Sequence, residues 1–209
     1  MSERGRLITI EGVDGAGKTT LAKGLLQALA DSGVQAQLLR EPGGVQTSEA
    51  VRALVKDARL TVGARAEALL YAAARAQLVE EALAPALEAG GWVLLDRFVD
   101  SSLAYQGAGR GLGIEEVREL NLFATGGLEP DRTLLLRLDP ASAQARADAR
   151  GEAPDRLELA GAEFFRRIAD AYRQLAAAEP QRIRVLDATL PPEQVVAQAM
   201  VALTDLLPG

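Results

Sequence analysis

The run Gly12-Val13-Asp14-Gly15-Ala16-Gly17-Lys18-Thr19 carries the G-x-x-x-x-G-K-[ST] spacing of a loop that wraps phosphate groups. Gly15 and Gly17 can take backbone conformations closed to other residues, so successive N–H groups can turn inward around an anion. A helix opening near Lys18 adds the positive end of its dipole. Lys18 is then placed to reach the β- and γ-phosphates of a nucleotide, and Thr19 to ligate Mg2+. Asp14 is the odd member, because a carboxylate beside bound phosphates is repelled unless it faces something else; a solvent-facing loop aspartate is the alternative. A second pair, Asp96-Arg97, follows the apolar run Trp92 to Leu95. A carboxylate at a strand end can hold Mg2+ through water, and the rigid fork of Arg97 suits the phosphate of an acceptor nucleotide. A structural ion pair would use the same two residues. Tyr71 and Arg75 are four residues apart and so share a helix face, where Tyr71 reads either as a stacking surface or as a core aromatic.

Composition narrows the chemistry. The 209 residues include no His and no Cys. Imidazole acid–base catalysis, a Ser-His-Asp triad, His- or thiolate-bound metal and disulfides are therefore excluded. What remains is carboxylates, Arg, Lys, hydroxyls, backbone N–H groups and added cofactors. The net charge of −6 at pH 7 argues against nucleic acid as a partner while allowing a local basic pocket. No apolar stretch approaches the ~20 residues of a membrane span, and Met1 to Arg6 is short and polar without a secretory apolar region. A cytoplasmic protein with no membrane partner is expected.

The elements that must position these residues alternate along the chain. Leu7–Ile10, Val34–Leu39, Trp92–Leu95, Leu134–Leu138 and Ile183–Leu186 read as strands. Helical patterns cover Lys18–Ala30, Thr47–Lys56, Arg65–Ala89 with an interruption at Pro85, Ile114–Ala124, Ala141–Ala149, Phe164–Ala178 and Glu193–Leu207. Glu41-Pro42-Gly43-Gly44 reads as a turn, and Arg150–Asp155 as a polar loop. Strands separated by helices predict an α/β fold with a five-stranded parallel sheet flanked by helices in three layers. Residues 1–209 read as one domain, with a short lid at about 146–158.

The chain resembles bacterial thymidylate kinases, nucleoside monophosphate kinases built on a P-loop NTPase-like fold. The resemblance rests on Ile10-Glu11-Gly12 leading into the loop, Arg40-Glu41-Pro42-Gly43-Gly44, Tyr71 to Gln77, Asp96-Arg97-Phe98 and Ser101 to Gly107. It continues through Leu138-Asp139-Pro140, Asp155-Arg156-Leu157-Glu158 and Asp187-Ala188. It implies transfer of the γ-phosphoryl group of ATP to dTMP, giving dTDP and ADP for dTTP synthesis, with Mg2+ as cofactor and a homodimer as the assembly. It also implies residue roles. Gly12 through Thr20 would grip ATP, helped by Arg146 and Asp187. Lys18, Arg97, Arg150, Arg156 and Asp14 would form the catalytic set, the arginines of the lid supplying charge to the migrating group. Asp14 would point at the 3′-hydroxyl of the acceptor sugar. Glu41, near metal and acceptor phosphate, would join Thr19 and Asp96 around Mg2+. Tyr71 would stack on thymine where the family usually has Phe, and Arg75 would bond a thymine oxygen. Ser102 and Gln106 would contact the base, and Tyr105 would crowd the 2′ position. For Arg146, a guanidinium plane over adenine is physically apt; a solvated helix face is the alternative. The competing readings are a kinase for another nucleoside monophosphate or deoxynucleoside, and a nucleotide switch without kinase activity. The Asn-Lys-x-Asp run by which GTPases commonly read guanine is missing. Pro42 is a candidate for a cis peptide bond.

Overall fold

The computed structural model describes residues 4–149 and 156–208, apart from the side chains of 147, 148 and 158. Five strands form one parallel sheet: β1 (Leu7–Glu11), β2 (Ala36–Arg40), β3 (Trp92–Asp96), β4 (Arg132–Arg137) and β5 (Ile183–Asp187), in the order β2-β3-β1-β4-β5. Burial follows that order. Every residue of β1 is buried, as are the middle of β3 and nearly all of β4, while edge strands β2 and β5 keep exposed positions. Continuous apolar runs belong in strands covered on both faces.

The two-residue period of β1 divides the core. Ile8 and Ile10 pack with Leu94 and with Leu21, Leu25 and Leu29 of α1 (Lys18–Asp31). Leu7 packs on the other face with Val93, Leu95, Leu78, Leu83 and Leu87. Helix α2 (Gln46–Lys56) lies against α3 (Ala64–Leu78), which runs through a π turn at Val79–Leu83 into α4 (Ala84–Glu88). The expected break at Pro85 therefore does not occur. Pro85 sits in the first turn of α4, where its missing N–H is harmless, and the wider π turn precedes it. Helix α5 (Val99–Ser102) continues into a second π turn, Leu103–Gly109, a helical stretch not expected from the periodicity. Then follow α6 (Ile114–Thr125), α7 (Pro140–Asp148), a single 3-10 turn at Glu158–Ala160, α8 (Ala162–Ala178) and α9 (Pro192–Leu203).

Register brings the chemistry to one edge. Asp96 stands level with Arg40 on one side and Ile10 on the other. Glu41 N donates to Asp96 O at 2.9 Å, and Arg97 N to Ile10 O at 3.0 Å. Glu41, Asp96, Arg97 and the loop from Gly12 thus emerge together at the carboxyl ends of adjacent strands, where ligands of such sheets bind.

Candidate active site

The loop from Gly12 to Thr19 joins β1 to α1 with Gly12, Gly15 and Gly17 at φ 138°, 83° and 98°. Two of these glycines are required by close contacts as well. A Cβ on Gly15 would lie 2.1 Å from Ala143 O of α7, and one on Gly12 would lie 2.7 Å from Leu136 O. Val13 and Ala16 are buried behind the loop, while Gly17, Thr19 and Thr20 are exposed at its mouth. Lys18 is folded back, its Nζ donating to Gly12 O at 3.2 Å and Val13 O at 3.1 Å. Burial lowers its pKa, and Arg97 adds to that.

A cavity of about 410 Å³ runs from this loop across the sheet edge. Arg97 crosses it. Its Nη2 donates to Asp14 Oδ1 at 2.7 Å and to Tyr105 Oη at 3.1 Å, its Nη1 donates to Ser101 Oγ at 3.0 Å, and its guanidinium lies 4.9 Å from the Tyr105 ring centre. Tyr105 Oη donates to Asp14 Oδ2 at 3.1 Å. Burial works against ionisation of Asp14, but Arg97, Lys18 and these hydrogen bonds outweigh it and hold the carboxyl well below its usual range. Arg97 itself has φ 71°, a left-handed conformation uncommon for a residue with a side chain.

The far end of the cavity is built around Arg75, which is 1% exposed. Its Nε donates to Glu41 Oε2 at 2.8 Å, Nη1 to Ser102 Oγ at 3.0 Å and to Asn121 Oδ1, and Nη2 to Phe98 O at 2.9 Å. Every nitrogen of this guanidinium has a protein partner, so Arg75 is a strut of the pocket rather than a free donor. Tyr71, half-buried, lines the same cavity one helical turn away. Gln106 donates to Glu67 Oε1 at 2.8 Å. Glu67 also binds Arg110 and, at 2.7 Å, Arg156 Nη1.

Most residues expected from the sequence therefore share one cleft: Asp14, Lys18, Thr19 and Thr20 at one end, Glu41, Asp96 and Arg97 at the centre, Tyr71, Arg75, Ser102, Tyr105 and Gln106 at the other. Arg146 also lines it and donates to Ala188 O at 3.1 Å. Gly12, Val13 and Ala16 are buried in the loop without lining the cleft, Val13 bordering a second cavity, and two further residues stand elsewhere. Asp187 borders a separate cavity of about 730 Å³ between α8 and the β4–β5 edge and accepts from Thr189. Arg156 is drawn onto Glu67 and donates to Val55 O at 3.0 Å, away from the phosphate loop, because Glu67 is wholly buried and needs cations. Arg150 and the rest of 150–155, the middle of the expected lid, lie outside the described residues. The Glu41–Pro42 bond is cis.

Several cleft residues received no role from the sequence. Arg40, Arg52 and Lys56 line it, and Arg52 Nη1 donates to Pro42 O at 2.9 Å. Arg52 and Lys56, four apart on α2, form a basic stripe that spacing alone could have suggested. The buried acid Glu67 and the amide Asn121 left no comparable signal, and Glu11 entered only within the Ile10-Glu11-Gly12 resemblance, without a role of its own. The acidic chain thus concentrates positive charge in one cleft.

Two carboxylate oxygens there, Glu41 Oε1 and Asp96 Oδ1, are buried without a hydrogen-bond partner among the described residues. Oxygens left in this way suit a hard divalent cation, with the Thr19 hydroxyl at the loop mouth as a further oxygen donor.

A family profile for thymidylate kinase matches residues 10–199. The thymidylate kinase of Deinococcus radiodurans is 48% identical over 202 residues, covering 97% of this chain and 98% of that one. That of Halorhodospira halophila is 44% identical over 210 residues, covering 100% and 98%. The crystal structure of thymidylate kinase from Ehrlichia chaffeensis superposes with a TM-score of 0.79 at 27% identity, covering 96% of this chain and 99% of that one.

Proposed function

The chain belongs to the thymidylate kinase family and phosphorylates dTMP from ATP, giving dTDP and ADP; we propose that it does so in the cleft between Lys18 and Tyr71 by the following division of labour. ATP lies with its phosphates in the loop from Gly12 to Thr20. Lys18 exchanges its carbonyl partners for phosphate oxygens, and Arg146 lies along the adenine, with Asp187 beside it. The phosphate of dTMP is held by Arg97. Asp14 and Tyr105, hydrogen-bonded to each other, are apt for neighbouring positions of one deoxyribose ring, the first accepting from a 3′-hydroxyl and the second leaving no room for a 2′-hydroxyl. Thymine stacks on Tyr71 between Arg75, Ser102 and Gln106, with Arg75 giving up an internal partner for a base oxygen.

The attacking atom is a phosphate oxygen, already anionic near neutral pH, so a chain without His needs no general base. Positioning and charge neutralisation suffice for phosphoryl transfer. Mg2+ held by Thr19, Asp96 and Glu41 would neutralise charge on the transferred group. Arg150 and Arg156 complete that neutralisation when the 146–158 segment covers the cleft, Arg156 leaving Glu67 to do so. The enzyme works in the cytoplasm as a homodimer; exposed Leu69 of α3 and Leu122 and Phe123 of α6 offer an apolar face for it.

The observation that carries this reading is that Arg97, tied to Asp14 of the phosphate loop and to Tyr105 of the far wall, faces the same cleft as Lys18, which gives one cleft two anion sites. A coupled ADP-release assay across nucleoside monophosphates and deoxynucleosides tests it, with dTMP the preferred acceptor. Faster turnover of CMP or of a nucleoside would overturn the substrate assignment, and ADP release indifferent to any acceptor would favour a nucleotide switch.

A further inference from the structure

We infer that Glu11, the last residue of β1, is a positioning residue for the acceptor site: its carboxylate sets the turn from which Arg97 enters the cleft. The inference rests on the reading of Arg97 as the ligand of the acceptor phosphate.

Glu11 is 0% exposed. A carboxylate in the core of a sheet is unfavourable unless hydrogen bonds match it, and an aliphatic residue would serve packing better. Its partners form one set. Oε1 accepts from Phe98 N at 2.7 Å and Ser101 N at 3.3 Å. Oε2 accepts from Ser101 Oγ at 2.5 Å and from Tyr172 Oη of α8 at 2.8 Å. Three of these four donors belong to the segment that begins at Arg97.

The backbone consequence is direct. Arg97 at φ 71° is bracketed by two hydrogen bonds to β1, its own N to Ile10 O and the next N, of Phe98, to Glu11. The same carboxylate reaches Ser101 N in the first turn of α5, whose flanking residue Phe98 offers no side-chain cap. Glu11 thus does from a neighbouring strand what a local capping residue does elsewhere. The side chain is held too: Ser101 Oγ, bonded to Glu11, accepts from Arg97 Nη1 at 3.0 Å. Glu11 does not line the cleft, yet it fixes Arg97 at both ends. Because α5 leads into the turn carrying Tyr105 and Gln106, the sugar and base contacts hang from the same support.

The test compares the full-length wild-type chain with Glu11→Gln, Glu11→Asp and Ser101→Ala. Steady-state kinetics in each substrate are paired with calorimetric binding of dTMP and with thermal melting. Glu11→Gln keeps the volume but sets an NH2 among donors; Glu11→Asp is too short to reach Phe98 N and Ser101 Oγ together. The loss of these charge-assisted bonds is expected to raise KM and Kd for dTMP by about tenfold in either variant, with KM for ATP within about twofold. Ser101→Ala, which removes only the side-chain link, raises the dTMP values by roughly threefold. A merely structural Glu11 would lower Tm and leave the two KM values of folded enzyme unchanged, and that result overturns the inference. Equal increases in both KM values overturn it as well. Should the Glu11 variants fail to fold, Ser101→Ala decides alone. Wild-type enzyme inactive on dTMP sinks the functional reading instead, whereas normal wild-type turnover with unaltered dTMP affinity in the variants sinks only the role of Glu11.

Discussion

Arg97 and Asp14 neutralise each other across the cleft at 2.7 Å, and the character of that pair sets what substitutions do. Arg97→Lys keeps the charge but loses the fork that reaches Asp14, Ser101 and Tyr105 at once. It is expected to lower kcat/KM for dTMP by about a hundredfold with little change in KM for ATP, measured by ADP release. Two nearby acids respond to pH in opposite senses. The depressed pKa of Asp14 means that its ionised form stabilises the fold above its ordinary value of 3.8 and that this contribution disappears as pH falls through the lower folded value. The melting temperature of wild type should therefore exceed that of Asp14→Asn at pH 7, and the gap should close on strong acidification. Glu41 behaves inversely. Burial, opposed by Arg75, pushes its carboxyl up to about 7 from an ordinary 4.5. The fold prefers it protonated, so its contribution is complete below pH 4.5 and is lost as pH rises through 7. In metal-free buffer, wild type should lose melting temperature relative to Glu41→Gln between pH 5 and pH 8; parallel curves for the two proteins would refute this.

Among the elements, those that announce themselves by period and those built by contact part company. The five strands and the helices on Leu21, Leu25 and Leu29 or on Phe164 to Ala178 were legible because each carries its own apolar pattern. So were the loop at Gly12 to Thr19 and the Asp96-Arg97 strand end, where spacing alone carries the chemistry. The helical stretch Val99–Gly109 was not, because its first turn is capped by Glu11 from another strand and its glycines serve packing. A Cβ on Gly109 would meet the Phe164 ring at 2.7 Å, and one on Gly107 would meet Ile114 Cα at 3.1 Å. Gly109→Ala is accordingly expected to cost about 1–3 kcal/mol by forcing α8 outward, measured by denaturant unfolding, although Ala is the better helix former. The internal saturation of Arg75 was equally illegible, since its partners Glu41, Ser102 and Asn121 come from three other elements. Arg156 sits at the end of the segment proposed to cover the cleft. Arg156→Ala should lower kcat by roughly tenfold or more while KM for dTMP stays within about threefold, because its charge is proposed to act on the migrating group rather than on the bound acceptor.

For the molecule as a whole, charge and exposed surface make separate statements. A net charge of −6 coexists with a cleft lined by Lys18, Arg52, Lys56, Arg97 and Arg146, so the field gathers anions in the cleft. Among the described residues, no helix is long and apolar enough to cross a membrane. Phe123 is 88% exposed, Leu122 60% and Leu69 58%, on helices that pack against each other. If these residues form the dimer face, Phe123→Glu combined with Leu122→Glu shifts the light-scattering mass from twice the chain's 22.1 kDa to a single chain. Unchanged mass would place the interface elsewhere. One contact ties the phosphate loop to the helix beside it. With no room for even a methyl group between Gly15 and Ala143, the phosphate loop and α7 bear on each other like two stones of an arch. If residues 146–158 form the proposed cover, its root has its abutment at that point, and a wedge as small as Gly15→Ala would spread loop and helix together.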